Sequence, residues 1–450
     1  MPEPVMERNR CLVIADSLDD AGHGVGVDRG VTVHVADLLP GEQAEVALEH
    51  ASPHKAEAWG RVARRIGPAS PDRVEPACPA FGRCGGCVWQ HLAYPAQLVR
   101  KHDRVARALA PLGPAIEVAA VVPSPSERHY RNKGKYVAAR LGRRLILGAF
   151  APRTHAVIDT VGCQIVAPIV DEVAAWIRGA AEAAELAPYD EATRQGELRY
   201  AVVRASAAGE ALAALIVAPG ASPIRVEEVA AAVARHPAVR GVIALVNART
   251  DGSIMPAEAE AMLAIGQPSL VETISGVEVE VGASEFLQVN RDQAQAIYDR
   301  VAVLAGAAEG VRAIDLYAGL GGITFALARA GARVHAVEID PTAVANLIRA
   351  AQRAGWGDRV SARAGDAATA RGATDVLVVN PPRKGLGARA REAIIALAPP
   401  TIVYVSCGPE SLADDLVALT VAGWRVDTVE PFDLMPGTPQ IETVVRLHRA

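Results

Sequence analysis

Three residues near the C-terminus stand at the ends of short apolar runs and have side chains that can do chemistry. Cys407 follows TIVYVS and precedes Gly408-Pro409, after which ESLADDL reads as the start of a helix. A thiol at a helix N-terminus has its thiolate stabilised by the helix dipole, which makes a nucleophile. Taken alone, a single cysteine is more often a small core residue, but a strand end in an α/β sheet is where such folds keep their chemistry. Asn380 closes DVLVVN and opens NPPRKG. Its two prolines stiffen the backbone and present the Asn amide rigidly, although NPP by itself also makes a plain turn. Glu442, in QIETVV, is a candidate general base or, more blandly, a solvated acid at a strand end.

A cofactor turn precedes them. Asp315-Leu-Tyr-Ala-Gly-Leu-Gly-Gly322 ends an apolar strand and opens the helix ITFALARAG. Its glycines, Gly319 first, let the backbone turn tightly and approach a ligand. The next strand, RVHAVEID, carries Glu338 where such folds bind a ribose hydroxyl. The glycine run does not match the GxGxxG spacing of dinucleotide folds, and the acid ahead of it, Asp315, suits a nucleoside bearing a cationic amine. S-adenosylmethionine is therefore preferred to a dinucleotide. Asp366, in SARAGDA, is placed either to reach an adenine edge or to cap a helix.

Thiol, carboxyl and methyl donor together define a reaction. Carbon 5 of a pyrimidine is a poor nucleophile. A thiolate adding to carbon 6 gives an enolate whose carbon 5 can attack the methyl sulfonium. A base must then remove the carbon 5 proton before the thiolate leaves.

The elements that would position these groups follow from the pattern. AIDLY, RVHAVEI, DVLVVN and TIVYVS alternate with helix-length segments, which predicts a parallel sheet with helices on both faces, a Rossmann-like domain over residues 285–450. Residues 11–67 alternate apolar and polar with glycine punctuation, which predicts a small OB-like barrel over 1–67. PASPDR (68–73) reads as a linker into a central α+β domain, 68–284, with helices near 94–112, 168–186 and 223–236. The chain has 450 residues and a net charge of −5, so as a whole it is no basic nucleic-acid binder. Residues 128–154 nonetheless hold eight Lys/Arg and no acid, including Arg128, Arg131, Lys133 and Lys135. That asymmetry, interleaved with aromatics in RHYRNKGKY, suits phosphate contacts and base stacking in RNA, or a solvated basic face. No apolar run is long enough to span a membrane and MPEPVMERNR lacks a signal-peptide pattern, so a cytoplasmic, monomeric protein is expected. A reducing cytosol argues against disulfides among Cys78, Cys84 and Cys87 in CPAFGRCGGC.

In their order and spacing these motifs resemble the class I RNA (uracil-5-)-methyltransferases, and among them the bacterial 23S rRNA branch. The resemblance covers nearly the whole chain. DDAGHGVGV and LPGE look like a TRAM barrel, and Phe286-Leu-Gln288-Val-Asn290 resembles the family's FxQxN segment. It implies that Gln288, Tyr317, Glu338 and Asn380 meet the donor or the target base, that Cys407 is the nucleophile and that Glu442 is the base. It also implies a 4Fe-4S cluster on Cys78, Cys84, Cys87 and the distant Cys163. Four thiolates satisfy zinc as well, but a 3 + 1 arrangement suits a cubane, here as a fastener of the RNA-binding face rather than an electron carrier. Cys11 is left as a core residue of the barrel. Gly437 and Gln440 stand where relatives often carry histidines, Ala318 replaces a frequent cysteine and Gly408 a frequent asparagine; these bear on the target uridine more than on the reaction. Other readings are a tRNA uridine-5 enzyme, an amino-group methyltransferase of the NPP type, and an inert RNA-binding assembly protein.

Overall fold

The computed structural model describes residues 10–152, 154–251, 253–256 and 259–449. Arg153 of the basic segment and most of MPEPVMERNR lie outside the described residues. The chain forms two compact units, one of Met1–Arg100, Phe150–Ile158 and Met435–Pro439, the other of Lys101–Ala149, Asp159–Leu434 and Gln440–Ala450.

The first unit opens with β1 (Arg10–Ile14), β2 (Ser17–Leu18), β3 (Gly24–Asp28), β4 (Val31–Ala36), β5 (Gln43–Ala51) and β6 (Glu57–Ile66). They form one sheet in the order β1-β5-β6-β4-β3-β2, antiparallel except for β4 against β6. The alternating residues Val33, Val35, Ala44 and Val46 point inward with Val13 and Leu38. The sheet curls so tightly that a Cβ added at Gly26 would lie 2.1 Å from the Ile14 carbonyl oxygen, and one at Gly24 2.4 Å from that of Leu38. Only glycine permits that approach. Cys11 packs against this core, and burial, with Asp28 beside it, pushes its thiol up to about 11. The expected linker 68–73 is strapped down rather than loose. Arg73 forks onto Glu42 (Nε–Oε1 2.6 Å) and also donates to Asp37 at 2.9 Å, while the Ser70 amide donates to Glu42. These bonds hold the Glu42 carboxyl down at about 2 against its burial, so the linker is fastened to the N-terminal sheet.

In the second unit α1 (Tyr94–Leu109) continues from the first and is held by a fully buried ion pair, Lys101 Nζ to Asp433 at 2.5 Å. Then come β7 (Lys133–Leu141), β8 (Arg144–Phe150), β9 (Val157–Asp159), α2 (Pro168–Ala183), β10 (Leu198–Ala205), β11 (Ala211–Val217), α3 (Pro223–Ala234), β12 (Val239–Val246) and β13 (Glu260–Gly266). The sheet order is β13-β12-β11-β10-β7-β8-β9. β10 and β11 are buried along their whole length, which is why they read as unbroken apolar runs. α2 and α3 bury Val173, Ile177, Val229 and Val233 in the core of this sheet. A hairpin, β14 (Ser269–Ile274) and β15 (Val277–Gly282), turns through Ser275 and Gly276, both at positive φ as a type I′ turn requires.

The last sheet carries the candidate site. After α4 (Arg291–Leu304) the chain runs β16 (Arg312–Leu316), α5 (Gly322–Arg329), β17 (Arg333–Glu338), α6 (Pro341–Arg353), β18 (Val360–Ala364), β19 (Val376–Val379), α7 (Gly387–Leu397), β20 (Thr401–Ser406), α8 (Pro409–Val421), β21 (Trp424–Phe432) and β22 (Glu442–Arg449). The order is β18-β17-β16-β19-β20-β22-β21. Strands β16 to β20 pair in parallel, and β22 inserts antiparallel between β20 and β21. The order reverses between β16 and β19, and a doubly wound sheet binds its ligand at the carboxyl ends beside that reversal.

Candidate active site

At this reversal, the penultimate residue of β16 is Asp315, which is fully buried, and Tyr317 follows the strand in the left-handed region at φ +64°. A bulky residue there is strained and persists only where its surroundings impose it, as they do at ligand sites. Asp315 Oδ2 accepts from Thr324 Oγ1 at 2.5 Å, while Oδ1 has no partner among the described residues. Burial drives this carboxyl up to about 7, the Thr324 bond opposing and Glu338 adding a little. A buried acid with a free acceptor fits a cationic amine and is unfavourable without one. The folded state therefore binds the Asp315 proton more tightly than the unfolded chain, and the associated stability is lost as pH rises through about 7. We expect Asp315→Asn to melt several degrees above the wild type at pH 8 to 9, the gap closing at pH 5, and to bind the methyl donor more weakly.

The glycine turn is fixed by Glu338, whose Oε2 accepts the Gly319 amide at 2.8 Å and whose Oε1 accepts that of Asp340 at 3.0 Å. A Cβ at Gly319 (φ +54°) would meet nothing within 4 Å, so the turn faces open space; one at Gly322 would lie 2.5 Å from the Tyr298 ring. Asp366 caps the short turn Ala367–Thr369 through the Ala368 amide (2.9 Å) and stands 3.7 Å from Arg389, the capping role weighed in the sequence. Asn380 follows β19 beside β16, its amide donating to the Leu316 carbonyl at 3.3 Å. Gln288 lies in the loop that leads to α4, and Asn132 Nδ2 donates to its carbonyl at 3.0 Å. Asn290 caps α4 and is buried, its Nδ2 donating to Ser124 and to Leu434.

Cys407 and Glu442 meet through strand register. Ser406 of β20 pairs with Thr443 of β22, so the residue just past β20 and the first residue of β22 lie side by side. Burial lifts the Glu442 carboxyl to about 8. The Cys407 thiol is raised too, first by burial and then by Glu442, with the Arg383 guanidinium pulling it down. The helix-dipole argument anticipated a stabilised thiolate. In the structure desolvation outweighs it, and the thiol is held neutral.

The NPPRKG loop is tied to α8. Ser411 Oγ bonds the Arg383 carbonyl at 2.8 Å, and the buried Asp415 accepts the Leu386 amide (2.8 Å), Tyr404 Oη (2.6 Å) and Arg391 Nη1 (2.9 Å). Gly408 lets the loop and α8 pack closely here. A Cβ would stand 2.8 Å from Ser411 Oγ and 2.9 Å from the Arg383 carbonyl oxygen, so a larger residue after the cysteine would displace the NPPRKG loop or Ser411. Tyr298 is also buried, its hydroxyl pKa raised by burial and by the fields of Glu442 and Asp315. Tyr298, Thr324 and Asp415 were not singled out from sequence, and Arg383 stood out only as part of the NPPR loop. Their periodicity is that of core or cap residues, and only the fold brings them to the strand ends.

The basic segment divides on folding. Arg128, Lys135, Arg140, Arg143 and Arg144 are exposed and Arg131 is half-buried. Lys133, expected on the phosphate-binding face, is buried instead, its Nζ donating to the Ala283 carbonyl at 2.6 Å. Cys78, Cys84 and Cys87 lie half-buried on turns of the first unit, Gly82 supplying a positive φ between them. The three thiols lie within ten residues of one another in the sequence, on backbone free of helix or strand. Cys163 is half-buried in the second unit beside the α2 core. Elsewhere in the first unit, Asp19 Oδ2 accepts from His23 Nδ1 at 3.0 Å and His34 Nδ1 at 2.7 Å.

This sheet order, with a glycine turn at the reversal and an acid closing the second strand, defines a class I methyltransferase domain. Residues 352–450 match the family model described as tRNA (uracil-5-)-methyltransferase. Over 99% of its length the chain is 32% identical to an uncharacterized RNA methyltransferase of Halalkalibacterium halodurans, covering 98% of that protein. It is likewise 32% identical to one of Geobacter sulfurreducens, over 99% of this chain and 91% of the relative. In structure it is similar to the Pyrococcus abyssi tRNA (uracil-54, C5)-methyltransferase solved with S-adenosyl-L-homocysteine, with a TM-score of 0.76, 24% identity and coverage of 97% and 100% of the two chains. The chain belongs to the class I RNA (uracil-5-)-methyltransferase family and is an S-adenosylmethionine-dependent RNA methyltransferase. Among the described residues no helix is long and apolar enough to cross a membrane.

Proposed function

We propose that the chain transfers the methyl group of S-adenosylmethionine to carbon 5 of a uridine in RNA, with 23S rRNA as the foremost substrate, through a covalent bond between Cys407 and carbon 6. The observation that carries this reading is the register of β20 against β22, which sets Cys407 beside Glu442 on a strand separated from β16 by β19 alone. Asp315, Tyr317, Gly319, Glu338 and Gln288 would hold the donor, with Asp366 at its adenine side and Asn380 between donor and base. Once Cys407 has lost its proton to solvent, the sulfur pair adds to carbon 6 and the carbon 5–carbon 6 π pair moves onto oxygen 4 as an enolate. Carbon 5 then takes the methyl, and the sulfonium leaves as the neutral thioether S-adenosylhomocysteine. Glu442, as carboxylate, accepts the carbon 5 proton, the double bond re-forms and the thiolate departs. No step consumes an electron.

Arg128, Arg131 and Lys135 support phosphate contact, and a uridine stacked in RNA would have to be flipped out to reach Cys407. The curled N-terminal sheet supports a TRAM-type RNA-binding barrel, within a functional division of 1–67, 68–284 and 285–450 and a monomer acting in the cytoplasm. Cys78, Cys84, Cys87 and Cys163 would hold a 4Fe-4S cluster, a reading that rests on their spacing and thiolate chemistry. Such a cluster would supply rigidity to the RNA-binding face. We expect anaerobically purified protein to be brown with about four irons per chain, and Cys84→Ser to lose the colour; a colourless wild type with one zinc would refute the cluster. Recognition of tRNA is the second reading, favoured by the family model at the C-terminus and by the archaeal likeness. Incubating the protein and labelled donor with unmodified 23S rRNA and, separately, with unmodified tRNA tests both. The label should appear as 5-methyluridine in the rRNA. Label in an amino group of adenine or in protein would overturn the reading.

A further inference from the structure

Lys133 and Arg204 face each other across paired strands. β7 and β10 are antiparallel, and Lys133 is the register partner of Arg204. Two like charges directly opposite are unfavourable, and burial makes these worse, since Arg204 is 1% exposed and Lys133 8%. Burial accordingly pushes the Lys133 ammonium down to about 7, with Arg204 and Lys135 adding to the effect. The Arg204 guanidinium is lowered to about 10, again by burial first. A fold tolerates such a pair only where the two groups meet a need that apolar residues cannot.

That need is the loop between β15 and α4. Lys133 Nζ donates to the Ala283 carbonyl at 2.6 Å, Arg204 Nη2 to the Glu285 carbonyl, and Asn132 Nδ2 to the Gln288 carbonyl at 3.0 Å. Three carbonyls of an irregular loop that no strand or helix satisfies are thus bound by three buried donors, one each from β7 and β10 and one from Asn132, the residue before β7. Counter-charge comes from the loop as well, because Glu285 favours both cations, and from Glu272, itself paired with Arg291 at 2.7 Å. Arg204 Nε and Nη1 and Glu285 Oε2 are left without partners among the described residues. A small movement of the loop would therefore be felt at once by the Arg204 guanidinium.

We propose that Asn132, Lys133 and Arg204 are positioning residues of the methyl-donor site, acting by fixing the Ala283–Gln288 loop so that Gln288 is presented in its binding geometry. The proposal rests on the reading above that Gln288 meets the donor. It gives Lys133 a different role from phosphate contact, and the two roles separate in solution.

The test compares the full-length wild type with Lys133→Gln and Arg204→Gln. S-adenosylhomocysteine binding is measured by calorimetry, RNA binding as a function of salt, and amide exchange over the loop by mass spectrometry. Positioning predicts roughly tenfold weaker binding of S-adenosylhomocysteine in each variant, the loss of one charge-assisted hydrogen bond. It also predicts kcat at saturating donor within about twofold, unchanged RNA affinity, and faster exchange across 283–288. Arg204→Lys, which keeps the charge and one donor, should recover part of the affinity and covers the case in which Arg204→Gln does not fold. Unchanged ligand affinity with unchanged loop exchange would overturn the proposal. So would weaker RNA binding by Lys133→Gln with a salt slope reduced by about one, the signature of a phosphate contact. If the wild type itself bound no S-adenosylhomocysteine, the functional reading would fail, and loop exchange would still decide whether Lys133 and Arg204 hold the loop.

Discussion

Replacing Cys407 with alanine will lower methyl transfer to RNA by at least about a thousandfold while leaving S-adenosylmethionine binding within about twofold, because it removes the bond that activates the pyrimidine. Carbon 5 of uridine does not attack a sulfonium without addition at carbon 6. The donor turn is built from β16, β17 and the residues between β16 and α5, whereas Cys407 comes from the end of β20. A variant lacking only the thiol therefore separates binding from chemistry. Cys407→Ser should fall nearly as far, since a hydroxyl gives a poorer nucleophile in the same desolvated place. Both variants should keep the wild-type melting temperature to within a few degrees, the side chain being only half-buried. Normal turnover by Cys407→Ala, read from label in RNA under multiple-turnover conditions, would remove the covalent mechanism.

Glu442→Gln has the second large expected effect, of a different kind. Addition and methylation precede the step that needs a base, so this variant should complete both and stall. A methylated protein–RNA complex stable to denaturing electrophoresis should accumulate, with turnover down by about 10²- to 10⁴-fold. The wild type should also carry a pH signature. Burial raises the Glu442 carboxyl to about 8, so the base-competent carboxylate is the minor form at neutral pH and the single-turnover rate should climb as pH rises through that value. The sign for stability is opposite. The folded state holds the proton that the unfolded chain would release near its ordinary carboxyl range, so stability is full in acid and is lost as pH rises through about 8. Glutamine carries no charge, so Glu442→Gln should be the more thermostable protein at pH 9. Melting curves of the two proteins at pH 6 and pH 9 check this. A variant less stable than the wild type at both values would show that Glu442 does structural rather than chemical work.

The parts of the fold legible in the sequence are those written in local pattern. The runs AIDLY, RVHAVEI, DVLVVN and TIVYVS fall on β16, β17, β19 and β20, and the glycine turn sits where β16 gives way to α5. The place of β22 was not legible. Nothing in QIETVVRLH says that it inserts between β20 and β21, and that insertion is what sets Glu442 beside Cys407. Burial was the second blind spot. RHYRNKGKY reads as one basic surface, yet Lys133, on the same strand face as Lys135 by the two-residue period, is buried where its ammonium donates to the Ala283 carbonyl, while Lys135 stays exposed. The same gap hid the anchors of PASPDR, since Glu42 and Asp37 are remote in sequence from Arg73 and meet it only in the folded unit. Cys407 was identified by position correctly as a strand-end thiol, but its environment was not. The dipole of the helix that follows is written in the sequence, whereas the desolvation and the neighbouring carboxyl that raise the thiol arise only on folding.

The central claim is that Cys407 bonds to the pyrimidine during methyl transfer. RNA transcribed with 5-fluorouridine carries fluorine where the abstracted proton would be, so the final elimination cannot occur. Incubating the full-length protein with this RNA and S-adenosylmethionine, digesting with protease and nuclease, and sequencing the adduct peptide by mass spectrometry reads the bond directly. The expected product is the peptide containing VSCGPE with a methylated fluorouridine on Cys407. RNA methylated at carbon 5 with Cys407 unmodified, or an adduct on any other residue, would contradict it.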